Sequence, residues 1–351
     1  MNYPFPTKLA FSQTEIPKRF GVVTVEQDPD PAIHFKVVVP LNWGQVSGVR
    51  RLVTPKNPFE LRTHLRSLSD SETEAKISIA YVTEEMSPSD WLALYLEQQG
   101  EKVLHERHMP QEGGTVPDVL TLGGKAGNER VSRWTVLKDH ARIGGAHFFM
   151  LQTSTAASKY NTDMANVFFV AISNFDLLKP NGWAYAEQLR TLVRAVPVKF
   201  STAYPLSWHQ VENPASNDHF YQVKFLKSVG DQAIGRISLA MAVGQAKKDM
   251  LRLEEEDRLA LAKEENATFE QPHFVAGPTY GSLRETLTAT MSQVNVGSDQ
   301  LARERSVLIG NIDGTSWLYA DFVSPTRQSA PGSWAVSRRA FTILLEHLRI
   351  G

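Results

Sequence analysis

Two histidines are the most direct candidates for chemistry in this sequence. His105 and His108 are three residues apart, and on a helix that spacing would direct both imidazoles to one face, where they could bind a metal ion. Arg107 lies between them, and the surrounding segment offers no third ligand. We therefore interpret the segment as a solvated stretch at a helix end and assign no metal-binding residue.

The glycine-rich segment Gly123–Gly127 resembles a phosphate-binding loop only in part. A P-loop requires glycine at the position of Val119 and serine or threonine at the position of Ala126. Neither residue is present, so the segment predicts a hairpin turn, and we expect no cofactor.

Ser154, Asp139, His140 and His147 supply the residue types of a nucleophilic triad. No serine stands in the Gly-x-Ser-x-Gly elbow that presents such a nucleophile. We assign no catalytic residue and expect that the protein is not an enzyme. An enzyme with an unrecognised, hydrolase-like site remains the alternative.

The elements that must hold these residues occur twice. The segment Val39–Val46, which contains Trp43, returns 165 residues later as Tyr204–Val211, which contains Trp208. A strand at 76–80 and a glycine-led aromatic strand at 145–150 recur in the same order. A repeat this long indicates duplicated domains. We expect the two tryptophans to close the ends of two cores, with contact to a partner as the alternative.

Turn and cap signals divide the chain into domain 1 (1–180), a linker helix (181–197) and domain 2 (198–351). Strands are predicted at Phe20–Val25, 33–39 and 74–82. Ser87 and Pro88 predict a helix start, and Asp163 is expected to cap a helix over 164–174. In domain 2 we expect helices over about 246–266 and 334–348, with the acidic run 254–257 on a solvated face. Each half therefore predicts an α+β domain with a mainly antiparallel sheet.

Composition narrows the functional classes. The formal net charge of −1 gives no general case for nucleic-acid binding, and there are no cysteines for disulfides or zinc-thiolate sites. We see neither a signal peptide nor an apolar run long enough to span a membrane, so we expect a cytoplasmic protein without membrane insertion.

The order of these elements resembles the PsbP-like superfamily. The matching segments are an extended strand that ends in a Pro-x-x-Trp-type turn, a strand with a central serine, a tryptophan-bearing helix, a hairpin and a terminal aromatic helix. They lie at 35–43, 77–81, 91–99 and 168–175 in the first half, and at 204–208, 237–241 and 341–348 in the second. The superfamily includes a photosystem subunit, a Ran-binding import factor, DcrB-like proteins and the Eag chaperones of type VI secretion.

This resemblance implies a non-catalytic protein that binds other proteins, in the manner of the DcrB-like or Eag-type branch. We expect an adaptor or chaperone that serves a bacterial secretion or conjugation system, with a secreted effector or an apparatus component as partner. It would bind an apolar helix or an extended segment on a sheet face or between the halves. A structural subunit of a larger secretion-type assembly is the alternative. The sequence predicts neither the partner-binding residues nor the oligomeric state.

Overall fold

The computed structural model describes residues 3–26, 28–47, 58–111, 114–182, 185–214, 216–230, 232–264, 266–281, 283–294, 296 and 301–351. The chain divides into two compact units, Met1–Glu187 (unit 1) and Gln188–Gly351 (unit 2).

The described residues of unit 1 form short and long helices and a series of strands. The helices are α1 (Ile16–Arg19), α2 (Pro88–Gln98) and α3 (Thr162–Ser173). The strands are β1 (Phe20–Val25), β2 (Phe35–Pro40), β3 (Trp43–Ser47), β4 (Phe59–Ser67), β5 (Glu74–Val82), β6 (Lys102–Gln111), β7 (Gly114–Gly123), β8 (Arg130–His140), β9 (Ala146–Ala156) and β10 (Asp176–Leu177).

Apart from α1, which has no counterpart, the described residues of unit 2 repeat the same order of helices and strands. The helices are α4 (Lys247–Glu264) and α5 (Pro331–Glu346). The strands are β11 (Leu189–Arg194), β12 (Phe200–Pro205), β13 (His209–Glu212), β14 (Phe220–Val229), β15 (Gln232–Val243), β16 (Val275–Ala276), β17 (Glu285–Ser292), β18 (Arg303–Asn311), β19 (Ser316–Pro325) and β20 (Arg349–Ile350).

Both units have one small and one large antiparallel sheet with the same strand order. The large sheets run β3-β4-β5-β9-β8-β7-β6 and β13-β14-β15-β19-β18-β17-β16. The small sheets run β1-β2-β10 and β11-β12-β20. The predicted α+β class, with two similar halves built on antiparallel sheets, is therefore confirmed, and the repeat in the sequence is a repeat of topology.

Each large sheet is packed by helices. In unit 1, α3 lies against β2, β8 and β9, and α2 lies over β7 and β8. In unit 2, α5 lies against β12, β15 and β19, and α4 lies over β19. The sheets form the cores because their central strands are buried on both faces. Ile77 and Ile79, like Ile237 and Leu239, lie on one face, and the intervening Ser78 and Ser238 are buried on the other.

Local signals predicted some boundaries and missed others. The side chain of Ser87 accepts a hydrogen bond from the amide of Asp90 at the start of α2, as expected. At α3 the capping side chain belongs to Asn161, and Asp163 instead lies inside the first turn, where its charge is favourable.

The linker helix predicted at 181–197 is wrong in its described part. Residues 189–194 form β11, which pairs along its length with β12. Leu192 is buried in the core of unit 2, whereas Thr191 and Val193 on either side of it are exposed. This alternation is typical of a strand with one covered face. Residues 183 and 184 lie outside the described residues.

Candidate protein-docking site

The repeated proline-tryptophan motif forms the same connection in both units, between the small sheet and the large sheet. In unit 1 the strand β2 ends at Pro40, and β3 begins at Trp43. The amide of Leu41 donates a hydrogen bond to the carbonyl of Arg19. In unit 2 the corresponding amide of Leu206 donates to the carbonyl of Gln188. The motif is therefore a structural connector first.

The connector also places apolar side chains on the surface at matching positions. Leu41 and Val46 are 63% and 50% exposed in unit 1. Leu206 and Val211, their counterparts in unit 2, are 41% and 42% exposed. A single exposed apolar residue needs no explanation, but here the same two positions are exposed in both units, and covering such side chains is favourable in free energy.

The two tryptophans of the motif differ in burial. Trp208 is 1% exposed and lies inside the main core cluster of unit 2, whereas Trp43 is half-buried and packs at the margin of two clusters in unit 1. Gly235 makes room for Trp208, because a Cβ atom there would lie 2.7 Å from the indole. Ala75 stands at the corresponding position 160 residues earlier. Unit 1 therefore has a methyl group at the position where unit 2 has none.

A pocket opens beside Trp43. It has a volume of about 400 Å³ and is open to solvent. Its apolar lining comes from β1, the connector and α3, and consists of Phe20, Pro40, Leu41, Trp43, Met164 and Val167. Its polar lining consists of Arg19, Asn42, Ser67, Ser69, Asp70 and Thr73. The volume is sufficient for one or two apolar side chains of a partner.

The polar wall of this pocket is organised around Asp70. Lys159 donates to one carboxylate oxygen at 2.8 Å, and the hydroxyl of Thr73 donates to the other at 2.7 Å. These two hydrogen bonds lower the pKa of Asp70 to about 2. The polar groups of this wall thus already form hydrogen bonds with other residues of the chain. A partner would therefore gain most of its binding free energy by covering the apolar wall.

The histidine pair does not form a metal site. His105 and His108 lie on β6, so the predicted helix end is wrong, whereas both residues are exposed, as expected for a solvated segment. Residues three apart on a strand point to opposite faces. The ring of His105 stacks on Phe5 at 5.3 Å, and Nε2 of His108 lies 3.0 Å from the hydroxyl of Ser89. The Gly123–Gly127 segment connects β7 to β8 as a hairpin, as predicted.

The four triad candidates are not brought together. Asp139 and His147 lie opposite one another on β8 and β9, but Ser154 is seven residues farther along β9, roughly 23 Å away. Burial raises the pKa of Asp139 and lowers that of His147 to about 4. The hydroxyl of Ser154 accepts a hydrogen bond from Arg130 at 2.7 Å. The same hydroxyl donates a long hydrogen bond of 3.5 Å to Glu74, so its acceptor is neither Asp139 nor His147.

Buried ion pairs are the main feature that the sequence interpretation missed. In unit 1 Arg133 and Asp118 are both fully buried and are joined at 2.7 Å. In unit 2 Arg305 contacts Asp321 and Glu254, each at 2.6 Å. The prediction of a solvated acidic run at 254–257 is therefore wrong for Glu254. Charged residues inside otherwise apolar strands were the signal that could have indicated these pairs.

Comparisons with known proteins give likenesses of fold only. No family model matches the chain, and no curated protein matches it. Among solved structures, cyanobacterial PsbP from Synechocystis sp. PCC 6803 is 14% identical over 45% of this chain and 92% of its own, with a TM-score of 0.33. The Ran-binding protein Mog1p of Saccharomyces cerevisiae is 9% identical over 46% and 95%, with a TM-score of 0.30.

A third similar structure extends over both units. The immunity protein TplEi of the type VI secretion system of Pseudomonas aeruginosa is 11% identical over 90% of this chain and 94% of its own, with a TM-score of 0.24. At these identities and TM-scores the likenesses do not assign a function. Among the described helices, none has the length and apolar character needed to cross a bilayer.

Proposed function

We propose that this chain is a non-catalytic adaptor or chaperone that binds another protein through the pocket beside Trp43. The observation that carries the proposal is the pocket itself, an apolar concavity with the exposed Leu41 on its rim. Covering the exposed part of one leucine side chain stabilises a complex by about 1–2 kcal/mol. An anchor side chain in the pocket would add to this, since buried anchors contribute most of the binding energy in protein interfaces.

The partner that we propose is a secreted protein or a component of a bacterial secretion or conjugation apparatus, bound in the cytoplasm. The chain would then be a DcrB-like or Eag-type PsbP-like protein. The solved structures with similar chains are too distant to support this choice of partner, which rests on the resemblance in the sequence.

Affinity capture of the tagged chain from its native cells, with mass spectrometry of the recovered proteins, tests the proposal. The variant Leu41→Asp adds a charge to the rim of the pocket, and we expect at least tenfold less of the partner to be recovered with it. Leu206→Asp makes the same change at the equivalent turn of unit 2, where Trp208 is buried, and is the matched control.

Three outcomes separate the hypotheses. Stoichiometric recovery of one protein, lost with Leu41→Asp and kept with Leu206→Asp, supports an adaptor or chaperone. Recovery of several apparatus components together supports a structural subunit. Recovery that is equal for both variants and the unmodified chain contradicts a role for the pocket.

A further inference from the structure

A cluster of positive side chains surrounds a single carboxylate on the large sheet of unit 1. Glu74 of β5 lies 2.7 Å from Nε2 of His64 and 2.7 Å from Nζ of Lys76. Arg130 of β8 lies 3.3 Å from it, and Arg66 of β4 lies 3.7 Å from it. The cluster therefore extends over β4, β5 and β8, three strands of one sheet.

The cluster carries an excess of positive charge that remains accessible. The side chains of Arg66, Lys76 and Arg130 are 37%, 36% and 35% exposed, whereas that of Glu74 is 11% exposed. Burial acts to raise the pKa of Glu74, but hydrogen bonds from Lys76 and His64 and the nearby positive charges hold it below its usual value. Three permanent positive charges thus face one negative charge, which gives an excess of two before His64 is counted.

The basic cluster shares its sheet face with α2 but lies beyond the part that α2 packs against. Lys76 and Ala80 are four residues apart on β5 and so point to the same face. Ala80 pairs with Phe148 of β9, and the ring of Phe148 contacts Trp91 of α2 at 5.2 Å. The two ends of the strand therefore differ, one being apolar and packed against a helix, the other basic and partly exposed.

Unit 2 shows how the equivalent face receives a helix with acidic residues. Arg236 stands 160 residues after Lys76 and has the same place in the sheet. Helix α4 has 18 residues where α2 has 11. Glu254 of this longer helix contacts Arg305 at 2.6 Å. Asp257, one turn later, is also attracted by Arg236 and Arg305, but burial and the charge of Asp321 outweigh them and raise its pKa to about 6.

We propose that the basic cluster of unit 1 binds an acidic helix of a partner protein, as the face of unit 2 binds α4. Charge complementarity selects this occupant, because carboxylates at three- and four-residue spacing on one helix face could reach Arg66, Lys76 and Arg130 together. The proposal does not depend on the pocket beside Trp43, and its test uses no native partner.

The probe is a labelled, acetylated and amidated peptide with the sequence of α4 in which the five basic residues are replaced by glutamine. Binding to the full chain is measured by fluorescence anisotropy at pH 7. We expect saturable binding that weakens severalfold between 50 and 300 mM salt, since screening acts on partly exposed charges. A peptide that also carries Glu254→Gln and Asp257→Asn should bind about tenfold more weakly.

Chain variants locate the site. The double variant Lys76→Gln with Arg130→Gln should bind the acidic peptide about tenfold more weakly, and its unfolding transition is checked first. Lys102→Gln removes one positive charge at an exposed position of β6 and should change the affinity less than twofold. If the double variant does not fold, the effect of salt on peptide binding by the unmodified chain still tests whether charged groups hold the peptide.

Three results would overturn the proposal. One is equal affinity for a scrambled peptide of the same composition, because a helix would then not be required. Another is equal or tighter binding of a single-stranded oligonucleotide of the same charge, which would indicate a general polyanion site. The third is binding of the acidic peptide that the double variant leaves unchanged.

Discussion

Substitution of Gly235 tests why Trp208 is buried in unit 2 whereas Trp43 is only half-buried in unit 1. In Gly235→Ala the new Cβ atom would lie 2.6 Å from Oγ of Ser337 and 2.7 Å from the indole of Trp208. Neither side chain can move easily, since Ser337 lies in α5 and Trp208 is 1% exposed. Overpacking of this kind costs about 1–3 kcal/mol, and full expulsion of the indole would approach the roughly 3–5 kcal/mol of a Trp→Ala change.

Urea denaturation followed by circular dichroism measures this cost, and a double-mutant cycle assigns it. Within the described residues Nε1 of Trp208 has no hydrogen-bond acceptor, so Trp208→Phe removes an unsatisfied donor as well as volume. Gly235→Ala should therefore cost at least about 1 kcal/mol less in the Trp208→Phe background. Additive costs, or an unchanged midpoint in Gly235→Ala alone, would refute the explanation that Gly235 makes room for the buried tryptophan.

Three further substitutions test the electrostatics of the units. Burial lowers the pKa of His147 to about 4. The free energy of unfolding should therefore be highest above pH 6.5 and decrease by about 3 kcal/mol as the pH falls to 4, because the unfolded chain binds the proton more readily. His147→Gln should remove most of this pH dependence. Burial raises the pKa of Asp257 to about 6, so stability should instead fall by about 3 kcal/mol as the pH rises from 4 to 6, and Asp257→Asn should abolish that fall. Asp118→Ala would leave Arg133 buried without its carboxylate and should lower the free energy of unfolding, measured in urea, by about 3–5 kcal/mol. Asp176→Ala, in the exposed pair with Lys36, is the control and should lower it by less than about 1 kcal/mol.

The sequence predicted the architecture better than the sites because repeats, strand alternation and helix caps are local patterns. The strand Phe20–Val25 and the helix start at Ser87 agree with the structure residue by residue. The strand at 189–194 was missed because the proline and glycine at 180 and 182 indicated a domain boundary, and the six-residue strand contributes only one buried residue, Leu192.

The functional differences depend on contacts between residues far apart in the sequence. Trp43 and Trp208 stand in nearly the same motif but differ in burial. Gly235 makes room for Trp208, unit 1 has Ala75 at the corresponding position, and each lies more than 25 residues from the tryptophan of its unit. Glu254 belongs to an acidic run typical of a solvated helix face, but it is buried because it accepts a hydrogen bond from Arg305, 51 residues later. A local pattern can mark a buried charge, but it does not show which distant residue pairs with it.

Site-specific photo-crosslinking tests the central claim most directly. A photoreactive amino acid is placed at Leu41, on the rim of the pocket, and separately at Leu206, at the equivalent turn of unit 2, and the full chain is irradiated in its native cells. The docking account predicts one crosslinked protein from position 41, lost when Trp43→Ala is added, and at most a weak product from position 206. No product from position 41, or one that Trp43→Ala leaves unchanged, would contradict the claim that this pocket binds a protein partner.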